Sequence, residues 1–157
     1  MSKQRKRAIL GFSIYAAIVV FISSIVTKPN SHDISLVQEA SISPVEGIDY
    51  RVDAPLIVRV DAEIFVVPKD FKTDLASIPR WLWSVIAPNE ADYVYPSILH
   101  DYLYSLPSIH SRQFVDDVFY SFLRERGVSR LKAYQFYLGV RIFGEHHFVT
   151  ESGISDE

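Results

Sequence analysis

The sequence predicts an α+β fold: a small antiparallel β-meander followed by three to four helices, behind one N-terminal transmembrane helix. Three observations predict it. Residues 8–26 read AILGFSIYAAIVVFISSIV, without a charge, directly behind Lys3, Arg5, Lys6 and Arg7. Between Ile48 and Val67 the runs IDYRV, LIVRV and EIFVV are short and rich in β-branched and aromatic residues. After Pro96 the apolar residues recur at helical spacing.

The first segment divides into a cytoplasmic basic stretch, 1–7, and a transmembrane helix, 8–26. Nineteen residues at about 1.5 Å rise span roughly 28 Å, close to the bilayer core. The positive-inside rule places Met1 in the cytoplasm and everything after Lys28 across the membrane. A cleaved signal peptide is the alternative. Its apolar stretch would be long, however, and the exit SSIVTKPNS offers no A-x-A site. The expected location is therefore the inner (cytoplasmic) membrane, with the C-terminal domain periplasmic or extracellular.

Residues 27–47 mix Ser, Pro, Asn and acids with scattered apolar residues and read as a linker. The globular domain is expected over 48–144. Its strands are separated by Asp-Ala-Pro and Asp-Ala, which suggests a meander covered on one face. A turn-rich stretch follows, with Ser77 as N-cap of a short helix through Trp81 and Trp83. APNEADYVYP reads as a loop. Ile98, Leu99, Tyr102 and Leu103 share one face of the next helix, with His100, Asp101 and Tyr104 opposite. Ser111 caps a helix running to Arg126 and stopped by Gly127, and a last helix runs from near Ser129 to Gly144. Residues 145–157 read as a flexible tail.

The chain has 157 residues and no cysteine. The length allows one domain with an appendage. The lack of cysteine excludes disulfides, thiolate zinc sites and a cysteine nucleophile. The 13% aromatic content argues against disorder. The net charge of −3 hides a segregation: five of the 16 basic residues and none of the 19 acids lie in residues 1–28. The remainder carries 11 basic and 19 acidic residues, a net −8. Such a domain is repelled by nucleic acid and by anionic headgroups, so no nucleic-acid partner is expected. The membrane, through residues 8–26, is the expected partner.

Three places carry candidate chemistry: Thr73-Asp74 with Ala76-Ser77-Ile78-Pro79-Arg80; His100-Asp101-Tyr102-Leu103-Tyr104; and Arg112 with Asp116. Adjacent His100 and Asp101 project about 100° apart and would serve neighbouring tasks rather than pair. His100 and Tyr104 share a face. An antiparallel helix after a short loop would bring Asp116 near His100. Asp116 borders the apolar stripe, whereas Asp117 points away from it. An inward Asp116 would orient the imidazole and raise its basicity. In this reading His100 and Asp116 are catalytic. Asp74, Arg80, Tyr104 and Arg112 form the substrate or polar network, and Asp101 with Asp74 could hold a divalent cation such as calcium. The alternative is a satisfied polar contact between helices. His32 and His146-His147 read as surface residues without metal companions.

The stretches VPKDFKTDLASIPRWLW (67–83), HDYLY (100–104), SRQFVDDVF (111–119), Gly127-Val128 and YLGVRIFG (137–144) resemble the domain-of-unknown-function family numbered 1353. The resemblance covers about residues 48–144. It implies an association with phages and prophages and brings no established activity. One departure is Lys69-Asp70, where the family usually has a glycine before the phenylalanine. His100-Asp101 followed by Tyr104 is also similar to the H-D-x-x-Y helix of phospholipases A2. That likeness implies a water-activating His100, a calcium-binding Asp101 and an orienting Asp116, although no glycine-rich calcium loop accompanies them. Two functions are expected from these readings. One is a membrane-anchored, non-catalytic binding or structural module of a cell envelope. The other is a His/Asp hydrolase acting on lipid or cell-wall substrates.

Overall fold

The computed structural model describes residues 27–45, 50–75, 90–106 and 110–148. Residues 8–26, Arg80 and the stretch with Trp81 and Trp83 lie outside the described residues. Among the described residues, no helix is long and apolar enough to cross a membrane.

Among the described residues, six strands form two three-stranded antiparallel sheets. The first has the order β1 (Ile34–Gln38), β4 (Leu56–Val60), β5 (Glu63–Val67); the second has β2 (Ser41–Pro44), β3 (Tyr50–Ala54), β6 (Lys72–Thr73). Leu56, Val58 and Val60 alternate with half-buried residues along β4, the period of a strand covered on one face. Its partners continue that inner face: Val60 lies opposite Ile34, Val58 opposite Phe65, and Leu56 opposite Val67.

Two expectations are corrected here. The β3, β4 and β5 runs do not form one meander, because β3 and β4 belong to different sheets. Pro55 stands between them and has no N–H to donate to a ladder, which suits a change of sheet. The expected linker, 27–47, supplies β1 and β2, each completing a sheet whose other strands lie later in the chain.

The described residues form three helices: α1 (Glu90–Ser105) and α2 (Arg112–Glu125), which pack on the sheets, and α3 (Arg130–Phe143), which packs on α2. Helix α1 begins six residues before Pro96, where a loop was expected. Packing outweighs the hydrogen bond that the proline removes, because Tyr93 is buried and stacks on Phe136 of α3 at 6.5 Å. Ser111 caps α2 as expected and Ser129, near which the last helix was expected to start, caps α3; they accept from the N–H groups of Phe114 and Lys132. Helix α2 ends in a Schellman motif: Val128 N–H bonds Leu123 C=O at 3.0 Å and Gly127 N–H bonds Arg124 C=O at 3.1 Å. Gly127 takes φ +89°, which glycine adopts without strain.

Among the described residues, two clusters contribute to the core. Val52, Val58, Leu99, Val118 and Phe122 join the sheets to α1 and α2, while Phe119, Leu123, Phe136 and Val140 join the helices to one another. Every residue of α2 from Val115 to Leu123 is buried, so this helix is covered on all sides. The expected tail begins with structure: Gly144–His147 form a 3-10 turn, and Phe148 packs edge-on against Tyr104 at 5.2 Å. Residues 149–157 lie outside the described residues.

Asp70 stands before Phe71 in the turn between β5 and β6. It adopts φ +68°, and the turn closes from Phe71 N–H to Pro68 C=O at 3.4 Å. Position i+2 of such a turn favours glycine, with Asn or Asp tolerated. Asp70→Gly is expected to leave stability unchanged or raise it by up to about 1 kcal/mol, and Asp70→Val to lower it by about 1–2 kcal/mol. Urea denaturation of the two variants measures this.

Candidate functional site

Helices α1 and α2 each present two polar side chains one turn apart, His100 with Tyr104 and Arg112 with Asp116. They meet around the Asp116 carboxylate, which is 0% exposed. His100 Nε2 lies 3.0 Å from Oδ1, and the Tyr104 hydroxyl donates to the same oxygen at 2.5 Å. Arg141 of α3 donates to Oδ2 at 2.9 Å. Arg112 reaches within 3.9 Å of Oδ2, and its Nε donates to the Tyr104 oxygen at 3.3 Å. Its Nη2 donates to the carbonyls of Val140 and Arg141 at 2.8 and 2.6 Å. Those carbonyls belong to the last turn of α3, where backbone donors become few, although Val140 C=O also accepts from the Gly144 N–H. Arg112 thus ties the end of α3 to the start of α2.

His100 is 1% exposed and packed between the rings of Tyr104 and Phe119 at 4.1 and 4.8 Å. The expected division of α1 into an apolar and a polar face is therefore incomplete, since both sides are buried here. On its far side, His100 Nδ1 stands 3.8 Å from Asp101 Oδ1. Asp101 also accepts a hydrogen bond from Thr73 of β6. Thr73 Oγ1 in turn accepts from Leu75 N–H at 3.0 Å. Leu75 is buried with φ +54°, a left-handed conformation costly for a leucine. A continuous polar chain thus runs from this strained turn through Asp101 and His100 to Asp116.

Burial alone would disfavour charge on His100, but the flanking carboxylates Asp101 and Asp116 outweigh it and raise its pKa above 6.5. Burial likewise opposes ionisation of Asp116. His100, Tyr104 and Arg141 overcome it and hold the carboxyl below 3.8. Burial first, and then the Asp116 charge, push the Tyr104 phenol up, so it stays a neutral donor.

Asp74 is exposed, and Arg80 lies outside the described residues. Among the described residues, no group of three or more His, Asp or Glu side chains could hold a metal ion. Asp101 is turned to Thr73 and His100. Two clefts have described walls. One, of about 200 Å³, is lined by Phe65, Leu103, Leu106, His110 and Val115 among others. The other, of about 270 Å³, is lined by His32, Tyr120, Ser121, Arg124 and Arg130 among others. Neither is lined by His100, Asp101 or Asp116.

The sequence matches the family described as protein of unknown function (DUF1353) over residues 50–140. The chain belongs to this family. No curated protein and no solved structure matches it. The matched range holds His100, Tyr104, Arg112 and Asp116, while Arg141 and strands β1 and β2 lie just outside it.

Sequence reasoning missed Arg141, Thr73 as the partner of Asp101, and a second buried carboxylate. Asp117, expected to point away, is 1% exposed. It accepts from Gln113 Nε2 at 2.7 Å and from Asn30 Nδ2 at 2.8 Å. His32 was likewise expected at the surface. Its side chain is 15% exposed, with Nδ1 2.7 Å from Asp61 Oδ2. Both corrections have one cause: residues 27–33 lie against α2 rather than hanging free.

Glycine at position 144 has a steric reason. A Cβ there would meet the Tyr104 hydroxyl at 3.0 Å, and that hydroxyl is fixed by Asp116. Gly144→Ala is expected to cost about 1–3 kcal/mol in denaturant unfolding. The pH dependence has a definite sign. The raised His100 pKa contributes stability fully present below pH 6.5, lost as pH rises through the folded value. The lowered Asp116 pKa contributes stability present above pH 3.8, lost as pH falls. Unfolding midpoints should therefore decline above pH 6.5 in the wild type, with a flatter decline in His100→Gln.

Proposed function

We propose that this family member is a single-pass membrane protein whose outward domain is a non-catalytic binding or structural module of a cell envelope, in a phage-related role. The observation that carries the non-catalytic reading is the saturation of Asp116. Its carboxylate is solvent-excluded and takes hydrogen bonds from side chains of α1 and α3. A general base needs a route to substrate and water, and His100 is itself only 1% exposed beside this carboxylate; buried polar groups with full partner sets commonly hold elements in register. In this reading the His100–Asp116 pair locks the three helices, and the Thr73–Asp101 contact holds the 73–75 turn against α1. The uncharged run 8–26 behind four basic residues supports the anchor. The domain is then periplasmic or extracellular.

One observation favours a second reading. His100, Tyr104 and Asp116 form a His-Tyr-Asp constellation with Asp101 beside it, so Nε2 faces one carboxylate and Nδ1 the other. As a hydrolase, the protein would use His100 as general base and Asp116 as its orienter, on lipid or cell-wall substrates. Full-length protein in detergent, assayed on phospholipid and peptidoglycan with and without calcium, separates the two. The expected outcome is no turnover above background. Turnover that disappears in folded His100→Ala and Asp116→Asn proteins would establish the enzyme instead. Fractionation tests the anchor: the expectation is full-length protein in carbonate-washed membranes, and a soluble, shortened product contradicts it.

A further inference from the structure

We infer that helix α3 lies on the surface of the bilayer that holds residues 8–26, with Leu131 and Ile142 entering the headgroup region. The inference rests on the membrane-anchored reading above. The first observation concerns where the anchor ends. The apolar run stops at Val26, and the next residue is already fixed to the domain. The Thr27 carbonyl accepts from the Tyr137 hydroxyl at 3.0 Å, and its own hydroxyl donates to Gln113 Oε1 at 3.1 Å. Asn30 and His32 then bond to Asp117 and Ser121 of α2. A single peptide step, about 3.8 Å between Cα atoms, therefore separates the apolar run from the α2–α3 surface. That surface has no slack chain by which to turn away from the membrane.

The second observation is the character of α3 beside this point. Tyr134 stacks on Tyr137 at 6.1 Å. Leu131 and Ile142 stand about three turns apart on one side of the helix and are 65% and 39% exposed. The third observation is charge. The α3 sequence RLKAYQFYLGVRIF holds no acid; besides Arg141, which pairs with Asp116, it carries Arg130 and Lys132, within a region of net −8. Arg130 and Lys132, both exposed, flank Leu131. Basic residues beside exposed apolar ones are the pattern of a helix lying in an anionic membrane interface. The first sheet also exposes apolar residues, Val37 and Ile64, but with Asp33, Asp61 and Glu63 in its strands and turns. Like charge disfavours its approach to anionic lipid.

The absence of cysteine makes the test direct, since one introduced cysteine carries one fluorophore. Full-length Leu131→Cys, Ile142→Cys, Val37→Cys and Ile64→Cys proteins are labelled and reconstituted into phosphatidylcholine–phosphatidylglycerol vesicles containing headgroup spin-labelled lipid. Flotation reads the anchor and quenching reads the docking. The expected result is co-flotation of all four, with quenching at 131 and 142 at least twofold stronger than at 37 and 64. Equal quenching at all four positions in floating protein overturns the docking and leaves the anchor standing. Failure to float overturns the anchor and, with it, the docking.

Discussion

The fold depends on one buried carboxylate. Asp116 sits at the junction of three helices, and taking its charge out of water would be prohibitive without compensation. The compensation is specific: imidazole and phenol from α1 reach one oxygen, and guanidinium from α3 reaches the other. Removing one member of such a set leaves charge buried without its partner, typically a loss of about 3–5 kcal/mol. The same geometry dictates more distant choices. Tyr104, pinned by Asp116, leaves no room for a side chain at residue 144. Arg112, lying beside both, spends its remaining donors on the last carbonyls of α3. The helix ends are thus set by polar contacts, while the apolar clusters supply the bulk of the burial.

Asp117 repeats the device on the other side of α2. Its partners Gln113 and Asn30, with Tyr137 and Thr27 closing the ring, fasten residues 27–32 to the helices. Two adjacent buried carboxylates, each with its own partner set, explain how α2 is covered all round. Residues from Thr27 onward are therefore part of the globular unit, well before the matched family region at residue 50. An anchor ending at Val26 would leave this unit almost no freedom of orientation at the membrane.

Much of this was legible in the sequence, for physical reasons that differ by element. The strand runs at 50–54, 56–60 and 63–67 announce themselves by alternation and β-branching, and the Ser111, Gly127 and Ser129 caps by local backbone chemistry. The approach of His100 to Asp116 follows from helix periodicity and a short connection. What escaped depends on distant partners. Ile34–Gln38 and Ser41–Pro44 are short, serine-rich and paired with strands met later, so they resemble a linker. Asp117 lies off the apolar stripe of α2, and nothing local signals that residues 27–32 cover it. Arg141 follows a valine near a helix end, where a basic residue normally needs only the helix dipole as its reason. The Pro96 position is a local helix breaker overruled by the burial of Tyr93.

The central claim is that the Asp116 cluster acts as one structural unit. A double-mutant cycle on His100 and Asp116, with His100→Gln, Asp116→Asn and the double variant compared by denaturant unfolding, tests it most directly. The account predicts strong non-additivity, with a coupling of about 1–3 kcal/mol between the two positions. Stability losses that simply add, within about 0.5 kcal/mol, would contradict it.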